Sequence, residues 1–143
     1  MPGIRTINRY HFKVEWGGNS LNFIEVSGLE INIDVTTTRN GSSPENSEMK
    51  IPGITRYSDI ILKRNIIEGD YQFYEWIKTN NFGGVEKRDI SIHLLDHQHQ
   101  PIFTWKVRNA FPSKYIGPTL LANDSSLATE SLVLSHDGLS ILT

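Results

Sequence analysis

The sequence lacks cysteine, and this absence excludes a disulfide framework, thiolate metal ligands and a cysteine nucleophile. It also lacks any apolar run near the roughly 20 residues that span a membrane as a helix, so we expect no membrane insertion. The opening residues, Met1 to Thr6, contain no apolar segment of the signal-peptide type. Basic residues never stand more than two in a row and the formal net charge is −2, which argues against a nucleic-acid-binding surface.

Sequence motifs of catalysis and cofactor binding are missing as well. There is no Gly-x-Ser-x-Gly elbow, no glycine-rich phosphate loop ending in Lys-Ser or Lys-Thr, and no pair of carboxylates that stands apart from the others. The run from Asp96 to His99 contains potential metal ligands, but a predicted hairpin tip offers them no further partners. We therefore expect no catalytic residues, no cofactor and no bound metal.

The length and composition are those of one globular domain. The chain has 143 residues, of which 38% are apolar and 21% are charged. A chain of this length buries enough surface to form a core without a metal or a disulfide. No linker or internal repeat divides the sequence, so residues 1–143 are predicted to form a single domain.

Apolar and polar residues alternate with a period of two through most of the chain, which is the pattern of half-buried β-strands. The predicted strands cover residues 10–16, 21–26, 29–37, 57–64, 90–94, 103–107 and 128–135. Turn residues from Gly17 to Ser20 predict a hairpin between the first two strands.

One helix is predicted after Gly69 and Asp70, which supply a break and an N-cap. The aromatic residues that follow are expected to pack the helix onto a sheet; they are Tyr71, Phe73, Tyr74 and Trp76. Together with the strands, this helix predicts a mainly β fold, a small antiparallel β-barrel or sandwich with one α-helix.

The alternation stops between Arg39 and Gly53. The first part of this stretch is rich in Asn, Ser, Gly and Pro, so an extended polar loop is predicted at about 39–53. Loops of that length in a compact domain are usually functional or disordered.

Several short motifs occur in an order and spacing that is more specific than a β-fold. They are FIEVSGL at 23–29, KIPG at 50–53, ILKR at 61–64, LLD at 94–96, NAFPSKY at 109–115 and ESLVLSHDGL at 130–139. Taken together they resemble the tail-tube family shared by contractile phages and extracellular contractile injection systems. The tube protein of type VI secretion is a more remote relative. The resemblance covers nearly the whole chain.

The resemblance implies a structural, non-enzymatic subunit whose copies pair strand edges in a hexameric ring. The rings would stack into a hollow tube that carries cargo protein or DNA and is driven through a target envelope by contraction of a sheath. The implied partners are further copies of the chain, a sheath protein, and baseplate and spike proteins. The implied location is a particle assembled in the bacterial cytoplasm that becomes an extracellular machine or a virion tail.

Two surfaces are expected to serve this assembly. The polar loop would grip the next ring, and its candidate inter-ring contacts are Arg39, Asn40, Ser42, Ser43, Pro44, Glu45, Asn46 and Met49. The polar face of the strand at 29–37 would line the lumen, because a passage for cargo or DNA should be hydrophilic. Its candidate residues are Glu30, Asn32, Asp34 and Thr36. The alternative interpretations are a mere surface loop for the first set and the solvent face of a half-exposed sheet for the second.

Two other classes of protein remain open on the residues alone. A small-ligand-binding β-barrel of the lipocalin type would need a closed barrel with an apolar cavity. A hydrolase or carbohydrate-active sandwich would need a carboxylate pair or a triad. A stable monomer with a co-purified lipid would favour the first class, and an activity lost on changing one acidic residue would favour the second.

Overall fold

The computed structural model describes residues 7, 9, 11–39 and 48–143. These residues form mainly antiparallel β-structure, with one α-helix followed by a 3-10 turn at Thr79–Phe82. The elements are β1 (Phe12–Glu15), β2 (Phe23–Ser27), β3 (Ile31–Arg39), β4 (Glu48–Tyr57), β5 (Ile60–Asn65), α1 (Gln72–Lys78), β6 (Arg88–Leu95), β7 (Pro101–Ile116), β8 (Thr129–Ser135) and β9 (Gly138–Leu142).

The larger sheet has the strand order β1-β6-β7-β8-β5-β2, with β9 also paired to β7. Strand β7 is 16 residues long and belongs to both halves of this sheet. Its first part pairs with β6 and β9, and its last part, from Phe111 to Ile116, pairs with β8. A bulge between Pro112 and Lys114 bends the strand where the halves meet.

The fold was expected to be a barrel or a sandwich, and the described strands do not close into a barrel. Strands β1 and β2 lie at opposite ends of the strand order, and the predicted hairpin between them is wrong because β1 pairs with β6 and β2 with β5. The connecting turn is tied to the start of the helix instead. The Asn19 amide N–H donates to the Gln72 side chain at 2.6 Å, and the Trp16 indole donates to the Asn19 carbonyl at 2.9 Å. These bonds direct the chain away from β1.

The core lies between the two halves of the sheet and the helix. Its buried side chains are Val14, Trp16, Ile60, Leu62, Phe73, Trp76, Ile90, Ile92, Val107, Ala110, Leu132, Leu134 and Leu139. The Trp16 ring lies 5.1 Å from the Phe73 ring and 5.7 Å from the Trp76 ring, centroid to centroid. These aromatic rings fill the interior that a lipocalin-type barrel would keep open for a ligand.

Only part of the predicted helix face packs against the sheet. Phe73 and Trp76 are buried, whereas Tyr71 and Tyr74 are 66% and 55% exposed. Residues three apart lie on the same side of a helix, so these two pairs occupy different sides of a helix only seven residues long. The polar tip of Trp76 is satisfied by the Glu86 carbonyl at 2.7 Å.

Strands β3 and β4 form a separate two-stranded antiparallel sheet, which we call the arm. All of β3 and all of β4 except Tyr57 are exposed. Residues 48–53, which were predicted to belong to the polar loop, are part of β4, because residues 48–52 pair with β3 despite their irregular sequence pattern. The connection between Arg39 and Glu48 lies outside the described residues.

Candidate assembly surfaces

The arm carries apolar side chains that no other part of its own chain covers to a large extent. Ile31, Ile33 and Val35 alternate along β3 and are 50%, 55% and 60% exposed. Directly opposed residues of an antiparallel pair share a face, so Pro52, the partner of Val35, lies on the same side. We call this side the apolar face of the arm.

The four candidate lumen residues lie at the root and along the other face of the arm. Asp34 forms an ion pair with Arg56, with 2.6 Å between the carboxylate oxygen and Nε, while Glu30 accepts a hydrogen bond from Ser58 at 2.8 Å. Asn32 also approaches the Ser58 hydroxyl, at 3.4 Å. Thr36 is paired with Ile51, so this face is polar along β3 and partly apolar along β4.

Two of the candidate inter-ring residues lie in the described part of the chain, at the far end of the arm. Arg39 is the last residue of β3 and is paired with Glu48. Met49 is 67% exposed and follows at the start of β4. The remaining candidates, Asn40, Ser42, Ser43, Pro44, Glu45 and Asn46, lie outside the described residues.

Four strands of the larger sheet, β2-β5-β8-β7, form a unit with two open edges. On the described strands, β2 pairs only with β5, and β7 beyond Ala110 pairs only with β8. All three pairings are antiparallel, so the two edge strands run in opposite directions. The β2 edge of one copy placed beside the β7 edge of another would therefore continue the antiparallel order.

A buried charge cluster stabilises this four-stranded unit against the helix. Arg64 on β5 is 1% exposed; its Nε donates to Glu130 on β8 at 2.9 Å. Its two terminal nitrogens donate to the Asp70 carboxylate at 3.1 and 3.2 Å, in the two-pronged geometry that suits a guanidinium. The guanidinium also lies 4.0 Å from the centroid of the Phe73 ring.

Tyr115 on β7 completes this cluster by donating its hydroxyl proton to Glu130 at 2.7 Å. Burial raises the pKa of Tyr115 to about 12, and the hydrogen bond to the Glu130 carboxylate adds to that rise. The cluster thus joins β5, β7, β8 and the turn before α1 through charge-assisted hydrogen bonds. The sequence contained a signal for it, because Arg64 and Glu130 stand at the buried positions of alternating strands.

The histidines make structural contacts, and two of them, His11 and His99, stack with 5.3 Å between their ring centroids. His93 and Thr104 join the neighbouring strands β6 and β7 through a 2.9 Å hydrogen bond, and His136 Nε2 lies 2.9 Å from the Ser58 carbonyl. In the predicted hairpin tip, Asp96 accepts hydrogen bonds from the Gln98 and Gln100 amides. Across the described ranges, no group of three or more His, Cys, Asp or Glu side chains is placed to hold a metal ion.

In the part of the chain that the structure covers, no helix has both the length and the apolar character needed to cross a membrane.

The described residues thus form an antiparallel β-sheet with two unpaired edge strands, a separate two-stranded arm and one helix. Residues 8–140 match the family described as T4-like virus tail tube protein gp19. The match covers more than half of the sequence, and the chain belongs to this family. It is therefore a structural, non-enzymatic tail tube protein of the kind found in phage tails and contractile injection systems.

Solved structures agree with this assignment. The chain is 30% identical to a protein in the sheath–tube complex of an extracellular contractile injection system, PVC, in its extended state; the match covers 96% of this chain and 91% of that one, with a TM-score of 0.86. It is also 30% identical to a chain of the anti-feeding prophage tube-terminating cap, covering 100% and 95% of the two chains, with a TM-score of 0.89. Hcp1 from Flavobacterium johnsoniae shares the fold, at 21% identity, 92% and 94% coverage and a TM-score of 0.61. No curated protein sequence matches the chain.

Proposed function

We propose that this chain is the repeating subunit of the inner tube of a contractile injection system, in which hexameric rings stack into a hollow cylinder. The observation that supports ring formation is the pair of open edges on the β2-β5-β8-β7 unit. Because these edges run in opposite directions, the β2 edge of one copy can pair with the β7 edge of the next. Each copy would then present its β2 edge to one neighbour and its β7 edge to the other. Such head-to-tail contacts close into a ring when the rotation between copies allows it.

The single-domain chain, 1–143, would thus contribute four strands to a continuous wall. One face of each unit is covered by the core and the helix, and the other face is open. The side chains of Arg64 and Glu130 point to the covered side, as their burial indicates. Lys63 and Ser131 alternate with them, so their side of the wall would face the channel.

The polar face of the arm is a second proposed part of the channel lining. Its residues, Glu30, Asn32, Asp34 and Thr36, would line the lumen where the arm passes from one ring to the next. Cysteine substitutions at Asn32 and Ser131 test both positions in this cysteine-free chain. In assembled tubes, a small maleimide should label a lumen position, whereas a maleimide on a large polymer should label it only after disassembly.

The far end of the arm is the proposed grip on the next ring, through Arg39, Met49 and the connection between β3 and β4. Deleting residues 42–46 should leave rings intact and prevent the growth of long tubes. Tubes of normal length after this deletion would exclude the connection from ring stacking.

The proposed partners of such a tube are a sheath protein around it, a baseplate and a spike at its ends, and cargo protein or DNA inside it. The likeness to a chain in a sheath–tube complex supports the sheath as a partner and favours an extracellular contractile injection system over a virion. The tube would be assembled in the bacterial cytoplasm and then act as part of a released particle. Co-purification of the chain with a sheath protein from its own bacterium tests this assignment.

Electron microscopy of the purified chain over a concentration series tests ring formation directly. Rings and tubes with a central hole are the expected result, and a strict monomer, also in the presence of sheath and baseplate proteins, would contradict the proposal. Ile24 offers an edge-specific variant because it is the extra residue of a bulge on β2 and does not pair with β5. Ile24→Pro removes the backbone N–H of a residue that has no register partner on β5, so it should abolish rings while the fold is kept. Ile24→Val is the matched control.

A further inference from the structure

The two ends of the β2-β5-β8-β7 unit differ in character. Where β2 ends and β5 begins, the chain leaves the sheet and enters the arm, between Gly28 and Asp59. At the opposite end, β7 stops at Ile116 and β8 begins at Thr129. A twelve-residue segment, 117–128, therefore starts and finishes at the end of the sheet that lies away from the arm.

The strand register confirms that these ends are opposite. Asn65, the last residue of β5, is paired with Thr129, the first residue of β8, whereas Ile60 at the arm end is paired with Leu134. The backbone at the far end is further joined by a 3.0 Å hydrogen bond from the Ile66 amide to the Ala128 carbonyl. The arm and the 117–128 segment thus project from the two ends of one sheet.

The 117–128 segment exposes three large leucine side chains. Leu120, Leu121 and Leu127 are 84%, 62% and 75% exposed. The segment contains one charged residue, Asp124, whose carboxylate accepts hydrogen bonds from the Ser126 amide and hydroxyl at 2.9 and 2.7 Å. We call this surface the leucine end; Ile66 and Ile116, 41% and 40% exposed, adjoin it.

The arm is the matching surface at the other end of the molecule. An isolated two-stranded hairpin is only marginally stable in water and gains stability when it packs on another element. The apolar face of the arm exposes Ile31, Ile33 and Val35 in a row along β3. Covering this face with a leucine end would remove apolar side chains of both copies from water.

We infer that the leucine end of each copy receives the apolar face of an arm from a copy in the adjacent ring. This inference depends on the proposed ring assembly, and it names the surface on which the arm acts. Because the two surfaces lie at opposite ends of the sheet, copies that share one orientation along the tube axis would make this contact head-to-tail. It would repeat without limit along the axis of the tube, as heterologous contacts do when they do not close.

Disulfide cross-linking tests this contact, since the chain contains no cysteine of its own. The variant with Val35→Cys and Leu127→Cys carries one thiol on each proposed surface. Oxidation of its assembled tubes should give a ladder of covalent oligomers that extends beyond the number of copies in one ring. The matched control, with Tyr74→Cys and Leu127→Cys, has an equally exposed second thiol on the helix and should give no such ladder.

The alternative occupants of the leucine end give different results. A ladder that stops at the ring size would assign the contact to neighbours within one ring and overturn the inference. Tubes that form normally but give no cross-link would overturn it as well. Absence of rings and tubes in the unmodified protein would instead refute the proposed function on which the inference depends.

A second variant tests the energetic role of the leucines. The double change Leu120→Ser and Leu127→Ser should leave rings visible by electron microscopy while shortening tubes at least tenfold in mean length. Phe82→Ser is the control, because Phe82 is 78% exposed on the 3-10 turn after α1, outside both surfaces. Tubes of unchanged length in the leucine variant, or loss of the rings themselves, would contradict a role in ring stacking.

Discussion

Replacing Arg64 by methionine is expected to cost a large part of the folding free energy of the subunit. The guanidinium side chain is 1% exposed, and its two carboxylate partners, Glu130 and Asp70, are 8% and 11% exposed. Methionine fills a similar volume but leaves two carboxylates near the core without their cation. Removing one member of a buried ion pair costs about 3–5 kcal/mol, because the remaining charge is buried without compensation.

The aromatic contact adds to this cost. The Arg64 guanidinium lies over the Phe73 ring at 4.0 Å, and a desolvated cation–π contact contributes about 0.5–2 kcal/mol. The total approaches the roughly 5–15 kcal/mol that keeps a whole domain folded. We therefore expect Arg64→Met to be largely unfolded or to melt far below the original protein.

Urea unfolding followed by far-UV circular dichroism measures the effect, at protein concentrations where light scattering shows no assembly. Arg56→Met is the control, because the Arg56–Asp34 ion pair on the arm is 65% and 46% exposed and should contribute about 1 kcal/mol or less. The double variant that combines Arg64→Met with Glu130→Gln should recover part of the lost stability, because it removes one of the two buried carboxylate charges that lack a cation. An Arg64→Met variant that loses no more stability than Arg56→Met would refute the reasoning.

Two further predictions follow from the same structure. The raised pKa of Tyr115 means that the folded state holds this proton more tightly than the unfolded state, whose pKa is 10.0, so its contribution to stability is complete below pH 10 and is lost as the pH rises towards 12. In urea unfolding between pH 9 and 12, Tyr115→Phe should start less stable and lose less with pH; an equal loss in both proteins would contradict the assignment. Gly28→Ala should cost about 3 kcal/mol or more, since Gly28 has φ +87° and an added Cβ would collide with the Asp59 carbonyl oxygen. Gly83→Ala, with φ +96° and open space around it, should cost only about 1–2 kcal/mol in the same assay, and equal costs would refute the packing argument.

Strand β3 of the arm shows what a local sequence pattern can predict and what it cannot. Alternation from Leu29 to Thr37 predicts a strand, and a strand is found at Ile31–Arg39. The same alternation predicts one buried face, yet both faces of the arm are exposed in the single chain. Period-two patterning reports which side chains share a face, but the element that covers the face can belong to another copy.

Strand partners depended on contacts that are distant in sequence. The turn at Gly17 favours a local hairpin, but the pairing is decided by bonds between Asn19 and the helix start, more than fifty residues away. Strand β9 and the extension of β7 past Phe111 were not predicted, because β9 is only five residues long and a proline interrupts the pattern of β7 at 112. The bulge there lets the strand accommodate that proline.

The sequence by itself determined the mainly β character, the single helix, the missing catalytic motifs and, through its ordered motifs, the tail-tube family. These properties depend on the local spacing of residues and on residue type. The tertiary structure alone decided that β1 and β2 end the order of the described strands without pairing with each other. It also decided that Arg64 is buried between two carboxylates, and that the arm and the leucine end occupy opposite ends of one sheet. Such features depend on which distant segments meet, and packing selects among several partners that the local pattern leaves equally acceptable.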